Sequence, residues 1–482
     1  MKYMILIVTI FVCAYTEASI RPNSLFSEHA VLQQGVILPV WGTGNSGDCV
    51  TIEINGQRKQ TTVVNDKWLV YLDPMPAGGP FTLIISGSES KVEIKDIYVG
   101  EVWVCSGQSN MERQLGPRPP QKLITDWEKE RDSAHYPLIR EFYVPVLSSD
   151  EPIPDVKSEW VICSPETVPN FSCVGYFFAR DLYNALKIPV GIIFSAMGGT
   201  PAEFWTSRTA LEGMPEFKDR LDKYEQSLTS YAMQVAQYKR EGRIGKEPLN
   251  PAERGHVCGY YNAMIAPLQP YAIKGVNWYQ GEGNRHNPEQ YKKLLPLLID
   301  DWRKTWTQGD FPFLFVQIAP YKEMPPEIRE AQLFVLKNTK NTAMVVTTDC
   351  GDENDIHPSH KQPVGYRLSL AARSLAYKEK IEYSGPIYEF MEINNDKAIV
   401  NFSHAQNGLV SRNGKLHGFM IAGEDRQFVP AEVKITGNRV ILSNPNIKEP
   451  VAVRYGWESV PRGNLYNKEG MPASPFRTDH FN

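Results

Sequence analysis

Ser109 follows an apolar, β-branched run at residues 102–105 and precedes residues that can begin a helix. The sequence therefore predicts a strand-to-helix turn that exposes the serine hydroxyl, as in a nucleophile elbow. In an open α/β sheet such turns lie at the carboxyl ends of the strands, where ligands and catalytic groups collect. The neighbours Gln108 and Asn110 depart from the G-x-S-x-G pattern of an elbow, so a serine that merely caps a helix is the alternative.

Three further apolar runs end in loops that are rich in glycine, amides and charged groups. These loops span residues 195–200, 280–284 and 349–358. Paired glycines in the first of them allow backbone N–H groups to approach a ligand closely, and the last contains His357 with carboxylates nearby. Each loop alone is typical of ordinary turns. A serine, a histidine and two donor-rich loops at one sheet edge together favour catalysis.

These residue types are suited to acyl transfer to water. Ser109 would attack an ester carbonyl after His357 takes its proton, while a carboxylate orients the imidazole and stabilises its cation. The backbone N–H groups of Ser109 and Gly199 would hold the oxyanion. The side-chain amide of Asn284 or Gln280 would add a further donor, and one such donor lowers the barrier by about 3 kcal/mol.

A metal site is the competing explanation for the last loop, with Asp355, His357 and His360 as its ligands. A catalytic zinc needs three well-placed protein ligands. The sequence contains no CxxC motif and no Cys/His cluster with zinc spacing. We therefore expect no metal.

The composition limits the class of protein and its partners. A chain of 482 residues with 42% hydrophobic content can bury a large core and should form two or three domains. With 51 Lys and Arg against 55 Asp and Glu, nothing indicates a nucleic-acid partner or a polybasic membrane surface.

The N-terminus has the features of a secretory signal peptide over residues 1–19. Lys2 precedes an apolar run, and the small residues Ala18 and Ser19 offer a cleavage site. Because the run is too short to span a bilayer, we expect no stable membrane insertion after cleavage and a secreted or periplasmic protein. In that compartment Cys163 and Cys173 are candidates for a disulfide.

The remaining chain divides by its hydrophobic periodicity. Alternating runs predict an N-terminal β domain at 20–95, and strands resume in a C-terminal β domain at 381–482. Between them, apolar strands alternate with helices over 96–380, which predicts a mainly parallel sheet covered on both faces. An amphipathic helix at 216–242, within an insertion at about 206–250, is expected to pack on this sheet, with a mobile lid as the alternative.

Four ordered motifs carry a family resemblance. They are Gly107–Met111, Gly198–Pro201, Trp278–Glu282 and Asp355–Pro358. Together they resemble the sialate O-acetylesterase family of SGNH-type (GDSL-like) hydrolases, and the similarity covers nearly the whole mature chain. The resemblance implies a flavodoxin-like three-layer α/β/α domain flanked by β-sandwich-like segments. It also implies a serine esterase without a cofactor that removes O-acetyl groups from sugars, with Ser109 as nucleophile and His357 as base.

The resemblance leaves the acid of the triad open. Many SGNH enzymes place it three residues before the histidine, where this chain has Asn354. Asp355, two residues before the histidine, is our preferred candidate. Some related carbohydrate acetylesterases use the glutamate of the Gln-Gly-Glu motif, here Glu282, and Asp352 is the third candidate.

The substrate rests on the same resemblance, which favours sialic acids and 9-O-acetyl sialate in particular. A sialate carries a carboxylate, so its site should contain an arginine. The candidates are Arg113, Arg208, Arg254 and Arg285. A neutral glycan such as acetyl-xylan needs none of them, which makes a polysaccharide acetylesterase the first alternative. A non-catalytic carbohydrate-binding protein is the second, and hydrolysis of a generic acetyl ester would separate it from both enzymes.

Overall fold

A computed structural model describes residues 20–481, except 89 and 254. The signal peptide predicted at 1–19 and the candidate Arg254 lie outside the described residues.

Short strands build the N-terminal part of the chain, as predicted. They are β1 (Ile20–Pro22), β2 (Val31–Gln33), β3 (Leu38–Gly44), β4 (Cys49–Ile54), β5 (Gln57–Thr62), β6 (Lys67–Leu72) and β7 (Gly78–Ser86). Strands β1, β3 and β6 form one sheet, and β4 pairs with β5 and β7. The β4–β5 hairpin turns at Asn55 and Gly56, whose φ angles of 47° and 77° suit a tight two-residue turn.

The eighth strand, β8 (Lys91–Gly107), connects this part to the next. Its first half pairs with β7, and its second half lies inside the parallel sheet. The domain boundary predicted at 95–96 therefore falls within one continuous strand of 17 residues.

The central sheet has the order β10-β9-β11-β8-β12-β13-β14. Its further strands are β9 (Tyr136–Tyr143), β10 (Trp160–Cys163), β11 (Val190–Ala196), β12 (Gly275–Tyr279), β13 (Phe313–Val316) and β14 (Thr342–Val345). All neighbours are parallel except the edge strand β10, which is antiparallel to β9. The continuous apolar runs arise because helices bury both faces of the sheet.

Eight α-helices accompany these strands among the described residues. They are α1 (Ser109–Glu112), α2 (Trp127–Asp132), α3 (Cys173–Leu186), α4 (Arg208–Glu212), α5 (Pro215–Arg240), α6 (Pro288–Trp306), α7 (Pro326–Asn338) and α8 (Gln362–Tyr377). Alternate residues of β8 face opposite layers: Val102 and Val104 share a core with α6 and α7, whereas Trp103 and Cys105 share one with α3 and α8. This confirms the predicted three-layer α/β/α fold.

The long amphipathic helix predicted at 216–242 is α5. Phe217 and Leu221 are buried in its first two turns, and Tyr224 stacks on His256 with ring centroids 4.1 Å apart. Further along, the apolar stripe is only half-buried and Met233 is 66% exposed. The helix is thus anchored at its N-terminal end. None of the described helices combines the length and the apolar character needed to cross a bilayer.

The C-terminal part returns to antiparallel β structure, as predicted. Its strands are β15 (Ile387–Asn394), β16 (Lys397–Ser403), β17 (Leu409–Ser411), β18 (Phe419–Ala422), β19 (Val429–Pro430), β20 (Glu432–Thr436), β21 (Arg439–Ser443), β22 (Ala452–Tyr455), β23 (Leu465–Asn467) and β24 (Phe476–Arg477). Arg329 of α7 fixes this part to the central domain by donating to the carbonyls of Glu458 and Ser459.

Candidate active site

Three neighbouring strands bring their loops together at one sheet edge. The last residue of β11, Ala196, and the last residue of β12, Tyr279, both pair with Gly107 at the end of β8. A Cβ on Gly107 would lie 2.3 Å from the Tyr279 carbonyl oxygen, and its φ is +134°, so only glycine fits there. The side-chain oxygen of Gln108 accepts the N–H of Gly283 at 3.0 Å and ties the third loop to the turn.

Ser109 and His357 meet at this edge although 248 residues separate them. The Ser109 hydroxyl lies 2.8 Å from Nε2 of His357. The helix-cap alternative is wrong, because Ser109 is the first residue of α1 and the cap position belongs to Gln108, which makes no side-chain cap bond. Burial and the charge of Lys361 lower the pKa of His357 from 6.5. At neutral pH the ring is therefore in the basic form that can accept the serine proton.

Asp355 is the carboxylate nearest to the imidazole in the part of the chain that the structure describes. Its Oδ1 lies 4.0 Å from Nδ1 of His357 and accepts the backbone N–H of the same histidine at 2.9 Å. Asp355 therefore fixes the loop and places a negative charge beside the ring without a direct hydrogen bond to it. Asp352 instead pairs with Lys122 at 2.5 Å and caps the N–H of Asn354.

Glu282 belongs to a buried network beneath the pair. Asn110 donates to Glu282 Oε1 at 2.7 Å and to the carbonyl of Ile356 at 3.0 Å, while Lys361 donates to the Asn110 side-chain oxygen. Burial raises the pKa of Glu282 and lowers that of Lys361 to about 8. Because Asn110 bonds to both the third loop and the histidine loop, this network holds Ser109 and His357 in register.

The second loop presents backbone donors beside Ser109. A Cβ on Gly198 would lie 3.2 Å from the Ser109 β-carbon, so this loop packs directly against the serine. Gly199 is exposed, has a φ of +73°, and has open space where a side chain would stand. Within the described residues, the N–H groups of Ser109 and Gly199 have no protein acceptor. They are available to an oxyanion.

The side chains of Gln280 and Asn284 are buried and already engaged. Both N–H groups of Gln280 donate, to the Thr200 carbonyl at 3.1 Å and to the Asn284 side-chain oxygen at 2.7 Å. The Asn284 amide donates to Glu203 at 2.9 Å, and its oxygen also accepts the N–H of Ala202. Gln280 therefore has no amide hydrogen left for an oxyanion, which corrects the role expected for it, while the role expected for Asn284 stays a prediction. Both side chains hold the second and third loops together.

The arginines considered for a sialate carboxylate are mostly committed to protein partners. Arg113 is buried and donates to three backbone carbonyls of the loop that follows α1. Arg208 pairs with Glu212 and Glu225. Arg285 is half-buried beside the third loop and donates to the Glu282 carbonyl.

Sequence reasoning missed two groups near the nucleophile. Glu112 accepts the N–H of Gly198 at 2.8 Å and pairs with Arg118 at 2.8 Å. Glu112 lies three residues after Ser109 on one helix, so that spacing could have identified it. Lys361 gives no such signal, because its contact with Asn110 spans 251 residues.

The sequence also raised the questions of a metal site and of a disulfide. The described residues contain no group of three or more His, Cys, Asp or Glu side chains placed to hold a metal ion. The six cysteines among them carry free thiols. The bridge expected between Cys163 and Cys173 is therefore absent from the structure.

A serine hydroxyl bonded to an imidazole, at the carboxyl edge of a parallel sheet in a three-layer α/β/α domain, defines a serine hydrolase of the SGNH type. A family model described as a carbohydrate esterase, sialic acid-specific acetylesterase, matches residues 251–374. That segment contains His357 and Glu282 but not Ser109, so the nucleophile rests on geometry.

Whole-chain comparisons extend this match. Sialate O-acetylesterases of Rattus norvegicus and Homo sapiens are 32% and 30% identical to the chain, covering 95% and 91% of it and 94% and 88% of their own lengths. A crystal structure of a carbohydrate acetylesterase from Xanthomonas citri matches with a TM-score of 0.83 and 32% identity over 96% of this chain and 100% of that one. The chain belongs to the sialate O-acetylesterase family. It is a carboxylic ester hydrolase, which removes the non-catalytic alternative.

Proposed function

We propose that this protein is an exported serine esterase that removes O-acetyl groups from sialic acids, 9-O-acetyl sialate among them. The observation that carries the proposal is the 2.8 Å contact between Ser109 Oγ and His357 Nε2. Family membership supports the substrate class, since the curated relatives are named sialate O-acetylesterases. The predicted signal peptide at 1–19 supports export.

In the first half of the reaction His357 takes the hydroxyl proton as Ser109 Oγ bonds to the acetyl carbonyl carbon. The carbonyl oxygen becomes an oxyanion, which the N–H groups of Ser109 and Gly199 receive. When the tetrahedral intermediate collapses, the bond from carbon to the sugar oxygen breaks. The histidine returns its proton to that oxygen, so the sugar leaves with a free hydroxyl.

In the second half water replaces the sugar. His357 takes a proton from water, hydroxide adds to the acetyl-serine carbonyl, and the same donors hold the second oxyanion. When this intermediate collapses, the bond from carbon to Ser109 Oγ breaks and His357 returns its proton to Oγ. This restores the serine hydroxyl and releases acetic acid, which ionises to acetate. Asp355, 4.0 Å from the ring, stabilises the imidazolium in both halves by its charge.

The proposal is tested by acetate release from 9-O-acetyl sialic acid and from acetyl-xylan, measured side by side with Ser109→Ala as the blank. The proposal expects hydrolysis of the sialate with the higher kcat/KM. A clear preference for acetyl-xylan would contradict the substrate and support the alternative, a polysaccharide acetylesterase with the same machinery. That alternative is favoured by one observation, that Arg113 and Arg208 are engaged elsewhere.

Export is tested separately by expression of the full chain in a secreting host. N-terminal sequencing of the released protein should show that residues 1–19 are missing. Retention of the full-length chain in the cytoplasm would contradict export without bearing on the esterase chemistry.

A further inference from the structure

A cavity of about 510 Å³ opens where β9 and β11 end, and the helix that begins at Ser109 contributes Glu112 to its lining. Glu112 forms part of its wall and also accepts the N–H of Gly198, which lies against Ser109. Glu112 therefore connects the cavity to the loop that lies against Ser109. None of the residues that line the cavity takes part in the reaction steps proposed above.

The cavity wall combines aromatic surface with polar groups. Tyr143 is 44% exposed, and its ring packs on Phe194 with centroids 5.7 Å apart. Asn170 is exposed on the rim, and Gln114 lines the wall. An aromatic face flanked by amides and carboxyls is suited to a sugar, which has apolar C–H faces and a periphery of hydroxyls.

The charges in the cavity disfavour an anionic group. Its wall contains two carboxylates, from Glu112 and Glu166, and one guanidinium, from Arg118. That guanidinium is already paired with Glu112 at 2.8 Å. A carboxylate that entered would have to compete with Glu112 for the one cation.

Glu141 adds a hydrogen-bonding group of another kind. The Glu141 side chain is buried and has no cation partner in the described chain. Among the described residues, its carboxyl group accepts one hydrogen bond, from the N–H of Ser172 at 3.2 Å. Burial raises its pKa well above 4.5. A neutral carboxyl group both donates and accepts a hydrogen bond, as a sugar hydroxyl does.

We propose that this cavity binds the uncharged, hydroxyl-bearing part of the acetylated sugar, with the acetyl carbonyl at Ser109 and any sugar carboxylate directed away from Arg118. The inference rests on the proposed esterase function and adds to it a second binding element. For a sialate, the part in the cavity is its polyhydroxyl portion. For a neutral glycan, it is the acetylated ring itself.

The first test is Tyr143→Ala, assayed with 9-O-acetyl sialate, acetylated xylo-oligosaccharide and 4-nitrophenyl acetate. The third ester has no sugar. If the cavity binds the sugar, loss of the aromatic contact should weaken sugar binding. KM for both sugar esters should then rise about tenfold more than KM for 4-nitrophenyl acetate. Tyr71→Ala is the matched control, because Tyr71 is 58% exposed on the N-terminal sheet. Equal changes for all three esters, or no change for any, would overturn the proposal.

The second test is Arg118→Gln, which asks whether the cavity receives a carboxylate. The proposal expects KM for the sialate and for the xylo-oligosaccharide to change by similar factors. A rise of more than tenfold for the sialate alone would show that Arg118 binds its carboxylate and would overturn the assignment.

The two proposals fail in different ways. A wild-type enzyme that cleaves acetylated xylo-oligosaccharide but not the sialate contradicts the proposed function, while the Tyr143→Ala comparison still decides the cavity on the neutral ester. An enzyme that cleaves the sialate with no sugar-specific effect of Tyr143→Ala contradicts the cavity alone.

Discussion

The carboxylate beside His357 offers a quantitative test of the site. Asp355→Asn keeps a side-chain oxygen that can accept the backbone N–H of His357, so the loop should keep its shape. What is lost is a negative charge 4.0 Å from Nδ1. The two side chains are 22% and 24% exposed, which places the pair between the interior and bulk water.

Coulomb's law sets the size of the effect. Two unit charges at this separation interact by about 4 kcal/mol at an effective dielectric constant of about 20 and by about 1 kcal/mol in water. Because the imidazolium forms only as the serine proton moves, this energy is lost from the transition state. At about 1.4 kcal/mol per factor of ten, kcat/KM should fall between about fivefold and about a thousandfold.

The pH profile gives the same variant a second readout. Asp355 acts to raise the pKa of His357. Removal of its charge therefore lowers that pKa, and the acid limb of kcat/KM against pH should move to lower pH. The assay is hydrolysis of 4-nitrophenyl acetate and acetate release from a sugar ester over a pH series, with thermal unfolding as a check on folding.

Glu282→Gln is the control that completes this prediction. Glu282 is buried and bonded to Asn110, with no contact to the His357 ring in the described structure. Its replacement leaves Lys361 without a nearby negative charge, so the variant should lose stability. Its kcat/KM should fall less than that of Asp355→Asn. The reverse order of activity losses would show that Asp355 is not the acid and would assign that role to Glu282.

Two further predictions concern neighbouring groups. Lys361→Met removes a positive charge that lowers the pKa of His357 from 6.5. The acid limb of the kcat/KM profile should therefore move to higher pH than in the wild type. An unchanged acid limb would contradict this electrostatic role of Lys361. Gly107→Ala should destabilise the protein by at least about 2 kcal/mol, because the new Cβ would lie 2.3 Å from the Tyr279 carbonyl oxygen at a φ of +134°. Thermal or urea unfolding measures this loss of stability, with Gly309→Ala as the control, because φ at Gly309 is also positive but the space around it is open. Equal losses of stability in the two variants would show that the contact with the Tyr279 carbonyl oxygen does not matter.

Much of the fold could be predicted because its signals are local. Buried parallel strands are continuous apolar runs, and each catalytic loop begins where such a run stops. Ser109 and His357 were therefore placed at one sheet edge from sequence alone. The boundary at 95–96 was harder to predict, because β8 alternates in its first half and is fully buried in its second, although it is one strand.

The finer chemistry of the site depends on distances that sequence does not contain. Gln280 has the right group to hold an oxyanion, but both of its amide hydrogens bond to Thr200 and Asn284. Lys361 immediately precedes α8, where a charged residue is usually exposed, and nothing in the sequence indicates that it is buried. Glu112 was open to prediction from its three-residue spacing to Ser109.

Covalent trapping of Ser109 is the most direct test of its assignment as the nucleophile. Wild-type protein and Ser109→Ala would be treated with a serine-reactive fluorophosphonate, digested and mapped by mass spectrometry, with acetyl-ester hydrolysis measured on the same samples. If Ser109 is the nucleophile, the wild type should carry one adduct, on the peptide that contains Ser109, and should lose hydrolysis. The Ser109→Ala variant should show neither adduct nor activity. An active wild type labelled elsewhere, or a Ser109→Ala variant that retains activity within tenfold of wild type, would contradict this assignment.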